Sequence, residues 1–315
     1  MIRLDSRQPI PSELRGAIIA LGNFDGFHRG HQAVVGEALA WARAEGRPAI
    51  VATFDPHPVR FFQPDAPPFR LTTLDQRQEL FAQAGADAML VFHFDAEMAA
   101  TSADDWVSQV IGQRAGAAGV VTGNDFTFGK GRSGNVALLH EHGARLGIAA
   151  RTVGPVLDGS TPVSSSRIRE ALVAGDCAEA TRLLTRPFAI RATVQHGAKL
   201  GRTIGFPTAN LALGHYLRPR YGIYAVSAKI PGNGLPDGTL LGGAANIGIR
   251  PSFDPPIELL EPFFFDFSGD LYGVEIEVAL HQFLRPEAKY DSLDALTAQI
   301  AQDCQDSRTA LIGLV

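Results

Sequence analysis

The sequence predicts an α/β plus β chain: an N-terminal doubly wound parallel-sheet domain, then a small antiparallel β-barrel with a covering helix. Three observations carry this expectation. Up to about residue 186, short apolar runs alternate with helical stretches of about 10–15 residues, the rhythm of βαβ units. After Arg186-Pro187 the apolar period drops to two, with Gly, Pro, Asn and Asp turns between the runs. A length of 315 residues suits two domains of ordinary size. The expected domains are residues 1–186 and 187–315.

Each element has its own justification. Residues 17–21 (AIIAL) form a short apolar run suited to a buried parallel strand. In the helix that follows, Val34, Ala38 and Trp41 stand at i, i+4 and i+7, with Val35, Leu39 and Ala42 beside them. Strands at 49–54, 88–92, 119–122 and 149–153 then alternate with helices at 75–84, 102–111, 135–146 and 165–174. In the second half, 188–195, 221–229, 239–247, 259–267 and 274–281 read as antiparallel strands, and 292–304 as an amphipathic helix. No internal repeat or low-complexity tract interrupts the chain.

Composition narrows the function classes. Hydrophobic residues at 45% and charged residues at 19% supply enough apolar material for real cores. A net charge of −5 argues against a chain that wraps nucleic acid, which needs Lys and Arg to displace counterions; a local pocket for one nucleotide is compatible with it. No apolar run approaches about 18 residues, so no membrane span is expected. Residues 1–11 hold Asp5 and Gln8 and lack an apolar core, unlike a signal peptide. Cys177 and Cys304 are the only cysteines and form neither a metal motif nor a disulfide framework. A reduced, cytoplasmic protein is the expectation, and the oligomeric state, including a homo-oligomer, is left open.

The first chemical constellation lies between the first strand and the first helix: Gly22-Asn23-Phe24-Asp25-Gly26-Phe27-His28-Arg29-Gly30-His31. Ligands of open α/β sheets bind beyond the carboxyl ends of the strands. The helix N-terminus that follows offers unpaired N–H groups and positive dipole to an anion. His28 and His31, three apart, can face one phosphate and stabilise charge building on it during transfer. The plainer alternative is two turn histidines at a helix start. Zinc is disfavoured, since no cluster supplies further ligands at the usual spacing. His57, in Thr53-Phe54-Asp55-Pro56-His57-Pro58, follows another strand's end and suggests a third polar group in the same crevice.

The second constellation runs from Gly197 to Asn210 and is Gly-rich, with Gly201 and Gly205. It is not a P-loop, because it lacks the GK[ST] ending. Its glycines can still bring backbone N–H groups to phosphates. Thr208 and Asn210 are two apart, so an extended segment points both to one face. Two neutral oxygens there suit Mg²⁺, with water and phosphate oxygens completing its shell. A capping Thr and a turn Asn are the alternative.

These stretches carry a resemblance. The HxGH string, its GNFDGFHRGH setting and the TFDPHP segment resemble the adenylyltransferase half of prokaryotic bifunctional riboflavin kinase/FMN adenylyltransferases (FAD synthetases). Gly123-Asn124-Asp125-Phe126-Thr127-Phe128-Gly129 and Ser164-Ser165-Ser166-Arg167-Ile168-Arg169 support it. The latter matches the superfamily's ISSTxIR signature, with Val163 in place of Ile and Ser166 in place of Thr. The Gly197–Asn210 stretch is similar to the GxxxGRxxGFPTAN signature of riboflavin kinases. Tyr221-Gly222-Ile223-Tyr224, the run from Ala245 to Phe253, Glu261 and Asp270-Leu271-Tyr272-Gly273 follow in the family's order. Ser252 stands where Thr is usual.

The resemblance implies two activities: phosphorylation of riboflavin to FMN in the barrel, and adenylylation of FMN to FAD in the α/β domain. ATP with Mg²⁺, riboflavin and FMN are then the small-molecule partners, and riboflavin, FMN and FAD are substrates and products. It implies nucleotide contacts from Gly22, Phe24, His28, His31, Asp125, Ser164, Ser165, Ser166 and Arg169. In the barrel the same role falls to Gly197, Gly201, Gly205, Pro207, Thr208 and Asn210. Asn23, His57, Phe62, Phe128 and Arg285 are the implied flavin contacts, with core packing the alternative for each Phe and a helix-start salt bridge for Arg285. Glu261, nine residues before Asp270, is the implied base. If 259–267 is one strand, Glu261 shares a face with Phe263, Phe265 and Phe267, an apolar setting that favours proton abstraction. Pro262 next to it suits only an edge or strand-start position.

Two rival readings meet specific residues that oppose them. A kinase whose N-terminal half has a different or lost transferase substrate is opposed by the intact His28, His31, Ser165 and Arg169. A flavin-sensing protein without turnover is opposed by Glu261 and Thr208, since binding alone needs no base.

Overall fold

The apolar run at 17–21 becomes a strand with no exposed residue, and the first compact unit is built around it. The computed structural model describes residues 1–197, 201, 204–230, 239–250 and 257–315. Packing divides the chain into two units: Met1–Pro67 with Thr73–Ser164, and Pro68–Thr72 with Ser165–Val315.

In chain order, the strands of the first unit are β1 (Ile2–Asp5), β2 (Ile18–Leu21), β3 (Ala49–Asp55), β4 (Ala88–His93) and β5 (Gly119–Gly123). A short hairpin, β6 (Thr127–Phe128) with β7 (Gly134–Asn135), comes next, then β8 (Ala149–Val153) and a second hairpin, β9 (Leu157–Asp158) with β10 (Thr161–Pro162). Six of them form one sheet in the order β1-β4-β3-β2-β5-β8, every pair parallel. The helices are α1 (Arg29–Glu45), α2 (Pro58–Phe62), α3 (Leu74–Ala84), α4 (Ala96–Ala100), α5 (Ala103–Asp105) and α6 (Val136–Arg145). α5 runs on as a π-helical stretch, Trp106–Arg114.

Period-2 alternation sends β2 residues to two cores. Ile18 and Ala20 pack with Val34, Val35, Ala38 and Trp41 of α1 and Phe81 of α3. Ile19 and Leu21 pack with Trp106, Val110 and Ile111 on the other face. The sheet is therefore covered on both sides, as its unbroken apolar strands require. From β2 the chain steps through β3 to β4 on one side, then returns to place β5 on the other. The carboxyl end of β2 is thus the topological switch point.

The second unit opens with α7 (Ser165–Ala174) and α8 (Cys177–Leu184). Its strands are β11 (Phe188–Thr193), β12 (Leu211–Ala212), β13 (Gly222–Lys229), β14 (Leu240–Arg250), β15 (Ile257–Phe264) and β16 (Glu275–Arg285), and α9 (Leu293–Ala310) follows. The antiparallel order is β11-β16-β13-β14-β15-β12. Just beyond β11, the Gln195 N–H donates to the Asn210 carbonyl at 2.8 Å, so the two edge strands meet and the sheet closes into a barrel. α9 packs across β13, β14 and β16.

Several elements were not expected. β1 has no buried position in its pattern, and β12 is two residues long, so neither offers a readable period. α8 did leave a signal: Asp176 accepts from the Glu179 N–H at 2.9 Å, an N-cap that precedes buried Cys177, Ala180, Leu183 and Leu184. The strand expected over 259–267 ends at Phe264, and Asp266 takes φ +55 in the turn beyond. Phe265 and Phe267 are therefore not strand neighbours of Glu261.

Both cysteines are free, and burial pushes their thiols up, Cys177 to about 12 and Cys304 to about 11. Among the described residues no helix is long and apolar enough to cross a membrane.

Candidate active sites in the two units

The first site grows from the β2–α1 turn. Gly22 donates its N–H to the Ala52 carbonyl at 3.2 Å, which ties the turn to β3. Phe24, Gly26 and Phe27 all take positive φ, so the chain doubles back before α1. His28 is the helix N-cap: its Nδ1 accepts from the His31 N–H at 3.4 Å. In the neutral ring that acceptor role leaves the proton on Nε2, so His28 presents a donor beyond the cap. The rings of His28 and His31 stack at 3.6 Å between centroids and 20° between planes. The sequence spacing therefore does bring the two imidazoles together. Gly30 makes this fit, because a Cβ there would lie 3.1 Å from the His28 ring and 3.4 Å from the Val163 carbonyl.

The other residues expected in this unit are placed unevenly. The Phe24 ring is buried against Phe81 and the edge of His31, so only its backbone is available to a ligand. Asp125 is exposed just after β5, on the other side of the switch point, with Asn124 beside it. His57 caps α2 by accepting from the Val59 N–H at 3.1 Å. Phe62 is 63% exposed and meets Phe61 and Phe94 edge-on. Phe128 is buried 4.5 Å from the Trp106 ring, as a core residue would be.

Sequence reasoning missed Thr53 and Arg77. Both are buried, and both bond the Asn23 carbonyl: Thr53 Oγ1 at 2.8 Å and Arg77 Nη1 at 3.1 Å. A lone Arg inside a helix belongs to no motif, so nothing local marked it.

In the second unit, Ser165 and Ser166 open α7 directly after Ser164. Arg169, one turn on, donates Nε–H to the Phe69 carbonyl at 2.8 Å and lies over the Phe69 ring.

The barrel site is set by strand register. Leu211 pairs with Leu260 and Ala212 with Leu259. The Ala209 N–H donates to the Pro262 carbonyl at 2.9 Å, which extends the same register and sets Asn210 opposite Glu261. Ala209 and Leu211 are buried, whereas Thr208 and Asn210 point to the other face, the one that carries Glu261. On its second side Glu261 stands opposite Asn246 of β14. Gly197 lies under this cluster, where a Cβ would be 2.3 Å from the Asn210 amide. Gly201 accepts from the Phe206 N–H at 2.8 Å, Gly205 takes φ +86, and exposed Pro207 leads into Thr208. The Phe206 ring meets Phe263 edge-on at 5.4 Å. The expected residues 198–200, 202–203 and 251–253, Ser252 among them, lie outside the described residues.

Pro262 fits this geometry for a stated reason. In a strand, one residue's N and C=O point the same way. Its carbonyl faces Ala209, so its missing N–H also falls on that side and costs no bond in the β14–β15 ladder.

The setting of Glu261 is less apolar than expected. Arg250 of β14 forms an ion pair with it, and also approaches Glu287 at 3.4 Å. Asn246 Nδ2 donates to the same Glu287 carboxylate at 2.9 Å, while Asn246 Oδ1 is buried with no partner among the described residues. Glu258, three residues before Glu261, is engaged elsewhere. Burial opposes its ionisation, but hydrogen bonds from Tyr221 and Arg218 outweigh this and hold it below the usual range.

Arg285 makes a bidentate pair with buried Asp303 of α9, at 2.7 and 2.6 Å. Gln299 also donates to that carboxylate at 3.0 Å. Asp303→Ala is expected to cost about 3 kcal/mol, because it leaves the guanidinium half-buried without its acceptor. Urea denaturation followed by circular dichroism checks this, against Asp294→Ala on the exposed side of α9.

Comparison with known proteins follows the same division. A family model described as FAD synthetase matches residues 10–167, and one described as riboflavin kinase matches residues 184–311, so the chain joins two family modules. Its relatives include bifunctional riboflavin kinase/FMN adenylyltransferases of Escherichia coli K12 (38% identical, covering 91% of this chain and 90% of that one) and Pseudomonas fluorescens (39%, 94% and 93%). That of Bacillus subtilis is 35% identical, covering 95% and 93%. The chain belongs to the bifunctional riboflavin kinase/FMN adenylyltransferase family. A solved structure described as a macrolide-efflux protein from Streptococcus pneumoniae shares the fold, with a TM-score of 0.85, 29% identity and coverage of 98% of this chain and 99% of that one.

Proposed function

We propose that this chain makes FAD from riboflavin in two steps. Residues 187–315 phosphorylate riboflavin to FMN, and residues 1–186 adenylylate FMN to FAD. The observation that carries the reading is the register that sets Asn210 of the GFPTAN segment opposite Glu261.

In the kinase step, the Glu261 carboxylate takes the proton of the primary alcohol of riboflavin. The oxygen attacks the γ-phosphorus of ATP in line, and ADP leaves. Gly201, Gly205 and Phe206, whose ring meets Phe263, would line the nucleotide together with Gly197 and Pro207. Thr208 and Asn210 fit the Mg²⁺ that accompanies ATP: they are neutral oxygen donors sharing one face, and Gly197 leaves room for the Asn210 amide. That ion would neutralise charge on the phosphates. Arg250 fixes the direction of the Glu261 carboxylate until substrate arrives.

In the adenylyl step, a phosphate oxygen of FMN attacks the α-phosphorus of ATP, and the bond to the β-phosphate oxygen breaks, releasing pyrophosphate. The nucleophile is already ionised, so no base is required, and positioning with charge stabilisation suffices. The stacked His28 and His31, with the N-terminus of α1 behind them, supply that stabilisation. Gly22, Phe24 and Asp125 border the switch point. Asn23, His57 and Phe62 serve the flavin. Phe128 and Arg285 are the remaining flavin contacts that the resemblance implies, and they also pack in the core and pair with Asp303 of α9, respectively.

Incubation with riboflavin and MgATP, followed by chromatography, tests the reading. FMN and then FAD are expected. FMN alone would leave a kinase only, and neither product would leave a binding protein.

A further inference from the structure

We propose that Arg77 is a positioning residue for adenylyl transfer: with Thr53 it holds the Asn23 carbonyl inward, which turns the Phe24 N–H toward the switch-point crevice as a phosphate donor. The inference rests on the adenylyltransferase reading of the first unit.

Three elements converge on one carbonyl. Asn23 follows β2, Thr53 lies in β3 and Arg77 in α3. Arg77 Nη1 donates to Asn23 O at 3.1 Å and to Thr53 Oγ1 at 2.8 Å, and Thr53 Oγ1 donates to Asn23 O at 2.8 Å. Arg77 is 3% exposed and Thr53 0%. A guanidinium is costly to bury, and an apolar side chain would fill that face of α3 at less cost. Its Nη1 is used to orient a main-chain group, while its Nε–H reaches the Thr73 carbonyl of its own helix at 3.5 Å.

The orientation has a consequence one atom further on. In a planar trans peptide the N–H points opposite the preceding C=O. With Asn23 C=O drawn into the protein, Phe24 N–H faces away from Thr53 and Arg77, past the carboxyl end of β2. It makes no hydrogen bond among the described residues. Phe24 also takes φ +49, a conformation that a bulky residue keeps only when its surroundings impose it. The clamp on one side and the ring packed on Phe81 and His31 on the other impose it here. The donor sits four residues before His28.

The test uses the full chain with Arg77→Ala, Arg77→Lys and Thr53→Val. It measures kcat and KM for ATP in FMN-to-FAD conversion, and riboflavin-to-FMN conversion beside it. Loss of one preorganised donor lowers kcat by about 10²–10³-fold, and misdirecting it should lower kcat by at least about tenfold. Arg77→Ala is therefore expected to lose at least about tenfold in kcat, with KM for ATP changed by less than about threefold. Arg77→Lys should recover much of the loss, since an ammonium can still bond the carbonyl. Thr53→Val, which removes one hydroxyl without changing shape, should fall between and keeps the proposal testable if Arg77→Ala does not fold. FMN formation should be unchanged in all three. Full kcat for FAD formation in Thr53→Val and Arg77→Ala, or a Lys variant no better than Ala, overturns the assignment of Arg77. A parent chain that converts no FMN to FAD overturns the adenylyltransferase reading and the role of Arg77 with it.

Discussion

Glu261→Ala ends the conversion of riboflavin to FMN while FMN is still converted to FAD. Removal of a general base costs about 10²–10⁴-fold in rate, so kcat for FMN formation should fall by that factor. The carboxylate stands between Asn210 and Asn246, with Arg250 paired to it; Glu287, which shares Arg250, cannot replace it because it is bonded to Asn246. Glu258 cannot, because Tyr221 and Arg218 already occupy it. Glu261→Gln separates charge from shape: it keeps the side chain's size and should lose as much activity as Ala. Chromatographic rates with riboflavin, then with FMN, give both numbers from one preparation.

His28→Ala does the reverse, abolishing FAD formation and sparing FMN formation. A lost donor to the transferring phosphate costs about 10²–10³-fold in kcat. His28 also caps α1, so Ala should cost about 1 kcal/mol of stability as well. His28→Asn distinguishes the two roles. Asn is a strong N-cap, so it should restore the melting temperature but not the FAD-forming rate. Recovery of rate with the cap would make His28 a helix-start residue only.

The sequence carried the strands of the parallel sheet well, because strands buried on both faces must be apolar throughout, as at 17–21 and 49–54. It carried Thr208, Asn210 and Glu261 as separate marks, but their juxtaposition depends on β12, two residues long and without a period. Edge strands such as β1 escape for the same reason. Arg77 and Arg250 were invisible because their meaning is tertiary: one Arg inside α3 and one at the end of β14 acquire roles only from the carbonyl and the carboxylate that folding brings to them. The π-helical continuation of α5 shows the same limit, since 102–111 has an ordinary helical pattern in the sequence.

The central claim, that one polypeptide holds two separate phosphate-handling sites, is tested most directly by mixing the Glu261→Ala and His28→Ala chains with riboflavin and MgATP. Neither chain alone should make FAD from riboflavin. Together they should, because FMN released by the His28→Ala chain is adenylylated by the Glu261→Ala chain. A folded variant that has lost both activities, so that the mixture stays without FAD, would contradict the account.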